Sequence, residues 1–169
     1  MKKKYVILAG LSALLVAIDQ LTKMYIHTHY QLGDSTPVIP GYFNITYVRN
    51  FGAAFGFLAD SHPGFREFFF LSMPPVALIV ILLILRSVED TDFPQIFALS
   101  SVFGGAIGNY IDRIRFRYVI DFLDFHIQGQ WSWPAFNVAD SAIVCGVGVL
   151  LGLMVFEKKP ASQVEVKKT

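Results

Sequence analysis

The sequence predicts an all-α membrane protein of four transmembrane helices carrying a small β-rich extracytoplasmic platform. Two observations lead there. The 169-residue chain is 54% hydrophobic and only 16% charged, with a mean hydropathy of +0.50, too apolar for a soluble domain to stay dispersed. Its apolar residues also gather into runs close to the roughly 20 residues that a helix needs to cross the hydrocarbon of a bilayer.

Residues 68–85 and 93–111 contain no Asp, Glu, Lys or Arg, and residues 136–156 contain one ionisable carboxylate, Asp140. The remaining span, near residues 5–26, is apolar to Ile18 and is then interrupted by Asp19 and Lys23. Lys2, Lys3 and Lys4 before an apolar run resemble the start of a signal peptide, but no small-x-small cleavage site follows, which favours an uncleaved span. Pro74 and Pro75 predict a bend in the second span, because they free backbone carbonyls. The positive-inside rule, applied to Lys2–Lys4 and to Lys158, Lys159, Lys167 and Lys168, puts both termini in the cytoplasm. Arg113, Arg115 and Arg117 fall outside in this orientation and weigh against it, but the two terminal clusters outweigh them.

Residues 86–92 make a tight turn, whereas the first and third connections are long. In the first, Phe43 to Val48 alternates apolar and polar side chains, a half-buried strand pattern, with Pro37, Pro40 and Gly41 marking its approach. Residues 53–58 are too short to span; they are expected to lie on the membrane surface and to close over a substrate as a lid. With no repeat or linker, residues 1–169 read as one domain. Near-neutral charge, 14 basic against 13 acidic side chains, makes nucleic acid a poor partner. The single cysteine, Cys145, lies among small apolar residues of the last span and behaves as one of them.

Ionisable groups inside a membrane are costly, so each needs a reason. Asp19 lies near the end of the first span, Asn109, Asp112 and Arg113 close the third, and Asn137 and Asp140 open the fourth. Because successive spans alternate in direction, all of these gather at one membrane face, together with the long connections that hold Asn50 and Asp121. Asn109 with Asp112, and Asn137 with Asp140, are three apart and share a helix face. Gly104 and Gly108, and again Gly148 and Gly152, form small-xxx-small patterns that allow close packing and are expected to bring Asp112, Asp121 and Asp140 within reach of one another. Two carboxylates in a partly dry site hold one proton between them. The ionised one then takes a proton from water while the protonated one polarises a carbonyl.

Residues 104–113 (GGAIGNYIDR), 119–122 (VIDF) and 136–141 (FNVADS) resemble the signature blocks of the lipoprotein signal peptidase (signal peptidase II) family. Asp19-Gln20-Leu21-Thr22-Lys23 and residues 50–55 (NFGAAF) resemble its two earlier blocks. The five blocks occur in family order, with Phe51 where the family often has Thr. The resemblance implies that Asp121 and Asp140 are the catalytic dyad of an aspartic endopeptidase. It further implies that Asn50, Asn109, Arg113 and Asn137 line the pocket and hold substrate or dyad, and that Asp19 is mainly structural. The implied substrate is a bacterial prelipoprotein with a diacylglyceryl group on its cysteine, cleaved just before that residue. The implied setting is the bacterial inner membrane, with the site at the outer face and membrane lipid around a monomer. No metal or organic cofactor is implied.

Blander readings stand beside these. Asp19 and Lys23, at i and i+4, read as a structural pair, and Asp112 with Arg113 as a helix-end ion pair as readily as a catalytic one. His27 and His29 lack a carboxylate at ligand spacing and make a weak metal site. Asp124 points away from Asp121 if residues 119–127 are extended and is left out of the site. Trp131 and Trp133 read as interfacial aromatics. The rival from another class is a small proton- or ion-coupled carrier using the same carboxylates, although carriers usually hold such groups near the midplane within repeated halves.

Overall fold

The structure, a computed structural model, describes residues 2–52, 61–127 and 130–156. The segment 53–58 and the tail lysines Lys158, Lys159, Lys167 and Lys168 lie outside the described residues. The elements run α1 (Lys3–His29), β1 (Ser35–Ile39), β2 (Phe43–Asn50), α2 (Pro63–Ser87), α3 (Phe93–Phe116), β3 (Val119–Ile127), β4 (Trp131–Ser132) and α4 (Val138–Phe156). The strands form one antiparallel sheet in the order β1-β2-β3-β4.

Local chemistry explains the helix ends. His62 accepts a hydrogen bond from Gly64 N ahead of Pro63, so α2 begins before the apolar run at Phe68 does, and it continues through Pro74 and Pro75 to Ser87. Asp92 caps α3 by accepting from Gln95 N, and Arg117 ends it in the left-handed region at φ 65. Lys4, expected only as a charge at the cytoplasmic end, is buried. Its ammonium donates to the carbonyls of Arg86 at 2.9 Å and Val88 at 2.5 Å, just where α2 stops. A cation there satisfies carbonyls that the helix leaves unpaired and offsets the negative end of its dipole.

Three helices, α1, α2 and α4, are long and apolar enough to cross a membrane by length and composition. α3 has comparable length but lacks a stretch as apolar as theirs. It sits between α1 and α4 and buries Ile96, Ala98, Leu99, Ser100, Ser101, Gly104, Gly105, Gly108 and Asp112. A helix that faces its neighbours needs small and polar packing residues rather than a lipid-facing surface.

The glycines of α3 permit this packing. A Cβ on Gly104 would stand 2.9 Å from the Ser12 backbone, one on Gly105 would collide with the Ala139 carbonyl, and one on Gly108 would stand 2.6 Å from the Asp19 carboxylate. Gly146 of α4 similarly approaches the Ala98 carbonyl, to 2.7 Å from where its Cβ would lie. Gly148 and Gly152, expected to repeat the pattern, have none of the described residues within 4 Å of where a Cβ would lie and contribute no close approach among them.

Leu8, Ile81, Leu85, Val88, Ile96 and Leu99 form one buried cluster near the start of α1, and Ile26, Tyr47, Ile120 and Phe122 form another where the sheet meets the helices. The alternation expected from Phe43 is broken by a bulge. Ile45 pairs with Leu123, but Val48 rather than Tyr47 pairs with Asp121. One extra residue in β2 reverses which side chains face which side. Tyr47 thereby enters the core, and Asn50 instead of Arg49 shares the face of Asp121.

Gly105→Ala and Gly146→Ala should each force backbone apart and lower stability by about 1–3 kcal/mol, whereas Gly148→Ala should change nothing. Thermal unfolding in detergent checks this; equal melting of all three would mean that α3 and α4 do not touch as described.

Candidate active site

The site is assembled where α1, α3 and α4 meet β2 and β3. Its base is a buried ion network. Lys23 Nζ lies 2.9 Å from Asp19 and 3.1 Å from Asp112, with all three side chains 1% exposed. Asp19 also accepts from the backbone of Ala139 at 2.9 Å, which ties α1 to the first turn of α4. Asp112 accepts from the backbone of Ile120 at 3.1 Å, which ties the end of α3 to β3. Gln20 adds an amide that donates to Asp112 at 2.9 Å, Asp19 at 3.2 Å and the Gly108 carbonyl at 3.1 Å. Each oxygen of the Asp19 and Asp112 carboxylates thus has at least one partner, as a buried ion network requires.

Two further carboxylates sit above this base. Lys23 donates to Asn109 Oδ1 at 2.8 Å, and Asn109 Nδ2 donates to Asp140 Oδ1 at 2.7 Å. Asn137 joins Asp140 to Asp121. Its side-chain amide donates to Asp121 Oδ1 at 2.7 Å and its backbone N–H to Asp140 Oδ2 at 3.2 Å, while its Oδ1 accepts from Asp140 N at 2.9 Å. Asn50 donates to Asp121 Oδ2 at 2.9 Å and accepts from Gly52 N at 3.0 Å. Arg113 donates to the Gly52 carbonyl at 2.6 Å and lies over the Phe70 ring, 4.1 Å from its centre. Burial and the neighbouring Asp140 charge push the Asp121 carboxyl up to about 7, against the opposing pull of the Asn50 and Asn137 hydrogen bonds and the Lys23 charge.

The structure therefore gathers Asn50, Asn109, Asp121, Asn137 and Asp140 into one hydrogen-bonded set, with Arg113 joined through Gly52. Asp19 and Lys23 pair as their i, i+4 spacing suggested. Asp112, expected within reach of the other two carboxylates, instead faces Lys23, Gln20 and the β3 backbone, and its ion pair is with Lys23 rather than Arg113. His27 is bonded to the Tyr47 hydroxyl at 2.7 Å and His29 is stacked on Tyr25. Sequence reasoning passed over Gln20 and Phe70. A membrane-embedded amide beside Asp19 was a signal for the first, since it too needs partners; nothing in the spacing marked the second.

The signal peptidase (SPase) II family matches residues 11–156. The lipoprotein signal peptidase of Syntrophus aciditrophicus is 46% identical over 96% of this chain and 100% of its own length. That of Desulforapulum autotrophicum is 44% identical over 88% and 91%, and that of Geobacter metallireducens 43% over 96% and 99%. A bacterial membrane enzyme solved at 2.3 Å by the in meso method is similar, with a TM-score of 0.78 and 34% identity over 91% of this chain and 93% of the other. A second, solved at 1.9 Å, has a TM-score of 0.79 and 32% identity over 89% and 94%. The chain belongs to the signal peptidase II family, a family of peptidases.

Lys23→Met should leave Asp19 and Asp112 buried with their cation removed and cost about 3–5 kcal/mol. A detergent melting curve measures it, and a wild-type melting temperature would show that the network carries no stability.

Proposed function

We propose that this chain is an intramembrane aspartyl endopeptidase that removes signal peptides from diacylglyceryl-modified bacterial prelipoproteins, cleaving just before the modified cysteine. The observation that carries this reading is Asn137, which hydrogen-bonds both carboxylates at once and so holds Asp121 beside Asp140. Asp121, with its carboxyl near 7, is the acid; Asp140, bonded by Asn109 and the Asn137 backbone, is the base. Water attacks the scissile carbonyl while Asp140 takes its proton and Asp121 gives one to the carbonyl oxygen. The resulting diol collapses, one hydroxyl proton returns to Asp121 as the carbonyl re-forms, the C–N bond breaks, and the proton held by Asp140 passes to the departing cysteine amine. Arg113 and Asn50, tied through Gly52, present donors and carbonyls to the substrate chain, while its acyl groups remain in the lipid and hold the bond in place.

In this reading all four helices cross the bacterial inner membrane, α3 shielded by its neighbours. Both termini are cytoplasmic, the sheet and the carboxylates lie at the outer face, and the single domain works as a monomer. Membership of a peptidase family removes the ground for the carrier alternative.

The test is cleavage of a diacylglyceryl-modified prelipoprotein by purified protein. Asp121→Asn and Asp140→Asn should stay folded and each lose about 10³-fold or more of kcat; cleavage by either at the wild-type rate would refute the dyad. The rate should also fall as pH rises through about 7, where Asp121 loses its proton. Asn50→Val removes a hydrogen bond that favours the charged carboxyl, so this limb should move to higher pH; a kcat–pH profile unchanged by the substitution would separate Asp121 from the limb.

A further inference from the structure

The face of β3 opposite Asp121 carries a second polar site that the peptidase chemistry does not use. Alternation sends Ile120, Phe122, Asp124 and His126 to that face. Its inner half, Ile120 and Phe122, packs with Ile26 at the emerging end of α1, and its outer half continues to Asp124 and His126. The register brings Asn44 opposite Asp124 and Ser132 opposite His126. These four residues, with Gln130 and Trp131, line an open hollow of about 560 Å³.

The hydrogen bonding in this hollow is incomplete. The only contacts of the Asp124 carboxylate among the described residues are Asn44 Nδ2 and His126 Nδ1, each 3.4 Å from Oδ2, against about 2.7–2.9 Å for a good charge-assisted bond. The buried Nδ1 of His126 has no hydrogen-bond partner among the described residues. The Asp124 carboxylate is thus short of a close donor in this hollow, and the buried Nδ1 of His126 lies behind it.

The surroundings are uncharged and apolar. Residues 37–43 (PVIPGYF) and 127–136 (IQGQWSWPAF) contain no Asp, Glu, Lys or Arg, and pairing of Phe43 with Phe125 and of Ile127 with Trp131 brings both stretches to one end of the sheet. Val38, Ile39, Tyr42, Ile127, Trp131 and Trp133 are exposed there. Trp and Tyr beside aliphatic side chains favour the headgroup layer of a bilayer. Trp133 is also few residues from Val138, the first of α4, within about 17 Å of fully extended chain.

We propose that this hollow binds the primary ammonium of a phospholipid headgroup, such as that of phosphatidylethanolamine, in the bilayer that the helices cross. Three N–H donors of one ammonium match the Asp124 carboxylate and the side-chain oxygens of Asn44 and Ser132, which line the hollow. The lone carboxylate supplies the charge, and the Trp131 ring offers a cation–π wall. A bound metal fits less well, because the described residues hold no group of three His, Cys, Asp or Glu side chains here or elsewhere. The substrate peptide fits less well too, since it must meet Asp121 on the other face. Lipid held here would fix the height of the sheet, and with it of Asp121, above the membrane.

The chain has two tryptophans, Trp131, which lines the hollow, and Trp133, whose ring centre lies 5.7 Å from that of Trp131, so its intrinsic emission reports on the hollow. The full-length protein in phosphatidylglycerol nanodiscs would be compared across increasing fractions of phosphatidylethanolamine. A saturable emission change is expected, absent with phosphatidylcholine, whose nitrogen carries no N–H. Asp124→Asn should need about tenfold or more phosphatidylethanolamine for the same change while still cleaving prelipoprotein in detergent. An equal response from Asp124→Asn, an equal response to phosphatidylcholine, or a response to zinc but not to lipid would each overturn the proposal.

Discussion

The Lys23 ammonium, enclosed between Asp19 and Asp112, is the interaction from which the rest of the site hangs. Charges at 1% exposure persist only where each has opposite charge and hydrogen bonds around it, and here the partners come from separate elements. Asp19 holds the first turn of α4 through Ala139 N, Asp112 holds β3 through Ile120 N, and Lys23 reaches Asp140 through Asn109. One cation therefore sets the relative positions of three helices and a strand. The cost of burying it is met by bonds that also place Asp121 and Asp140, so stability and site geometry rest on the same few atoms.

Close backbone approach is the second condition. Gly108 leaves room for the Asp19 carboxylate beside α3, and Gly105 lets the Ala139 carbonyl of α4 come against α3. Larger residues at either position would displace the carboxylate or the helix that bears Asp140. The same packing explains why α3 lacks a stretch as apolar as those of the other long helices. One side of it is covered by protein, and there Ser100 and Ser101 return their hydroxyls to the helix carbonyls of Ile96 and Phe97 and the glycines serve contact rather than lipid exposure.

The sheet contributes through one irregularity. The bulge in β2 after Ile45 turns Tyr47 inward to His27 and Ile26 and gives Asn50 to Asp121. A regular strand would have presented Arg49 to the carboxylate, and a nearby cation would hold it ionised rather than near 7. The two faces of β3 then divide the labour. Asp121 serves the carboxylate pair, while Asp124 and His126 face a hollow at the uncharged end of the sheet.

The sequence by itself determined the long apolar helices, the strand near residues 43–48, and the gathering of Asp19, Asn109, Asp112, Asn137 and Asp140 at one end of the bundle. It could do so because hydropathy runs, period-two alternation and three-residue spacing on a helix are local properties. The i, i+4 pairing of Asp19 with Lys23 was legible for the same reason. Tertiary structure alone decided that Asp112 turns to Lys23 instead of joining Asp121 and Asp140, that Lys4 caps α2, and that Gly148 and Gly152 make no close approach to the described residues. It alone decided too that a bulge gives Asn50, not Arg49, to Asp121. Each of these depends on which distant backbone or charge lies across a few ångströms of packed space, and no spacing along a single element encodes that.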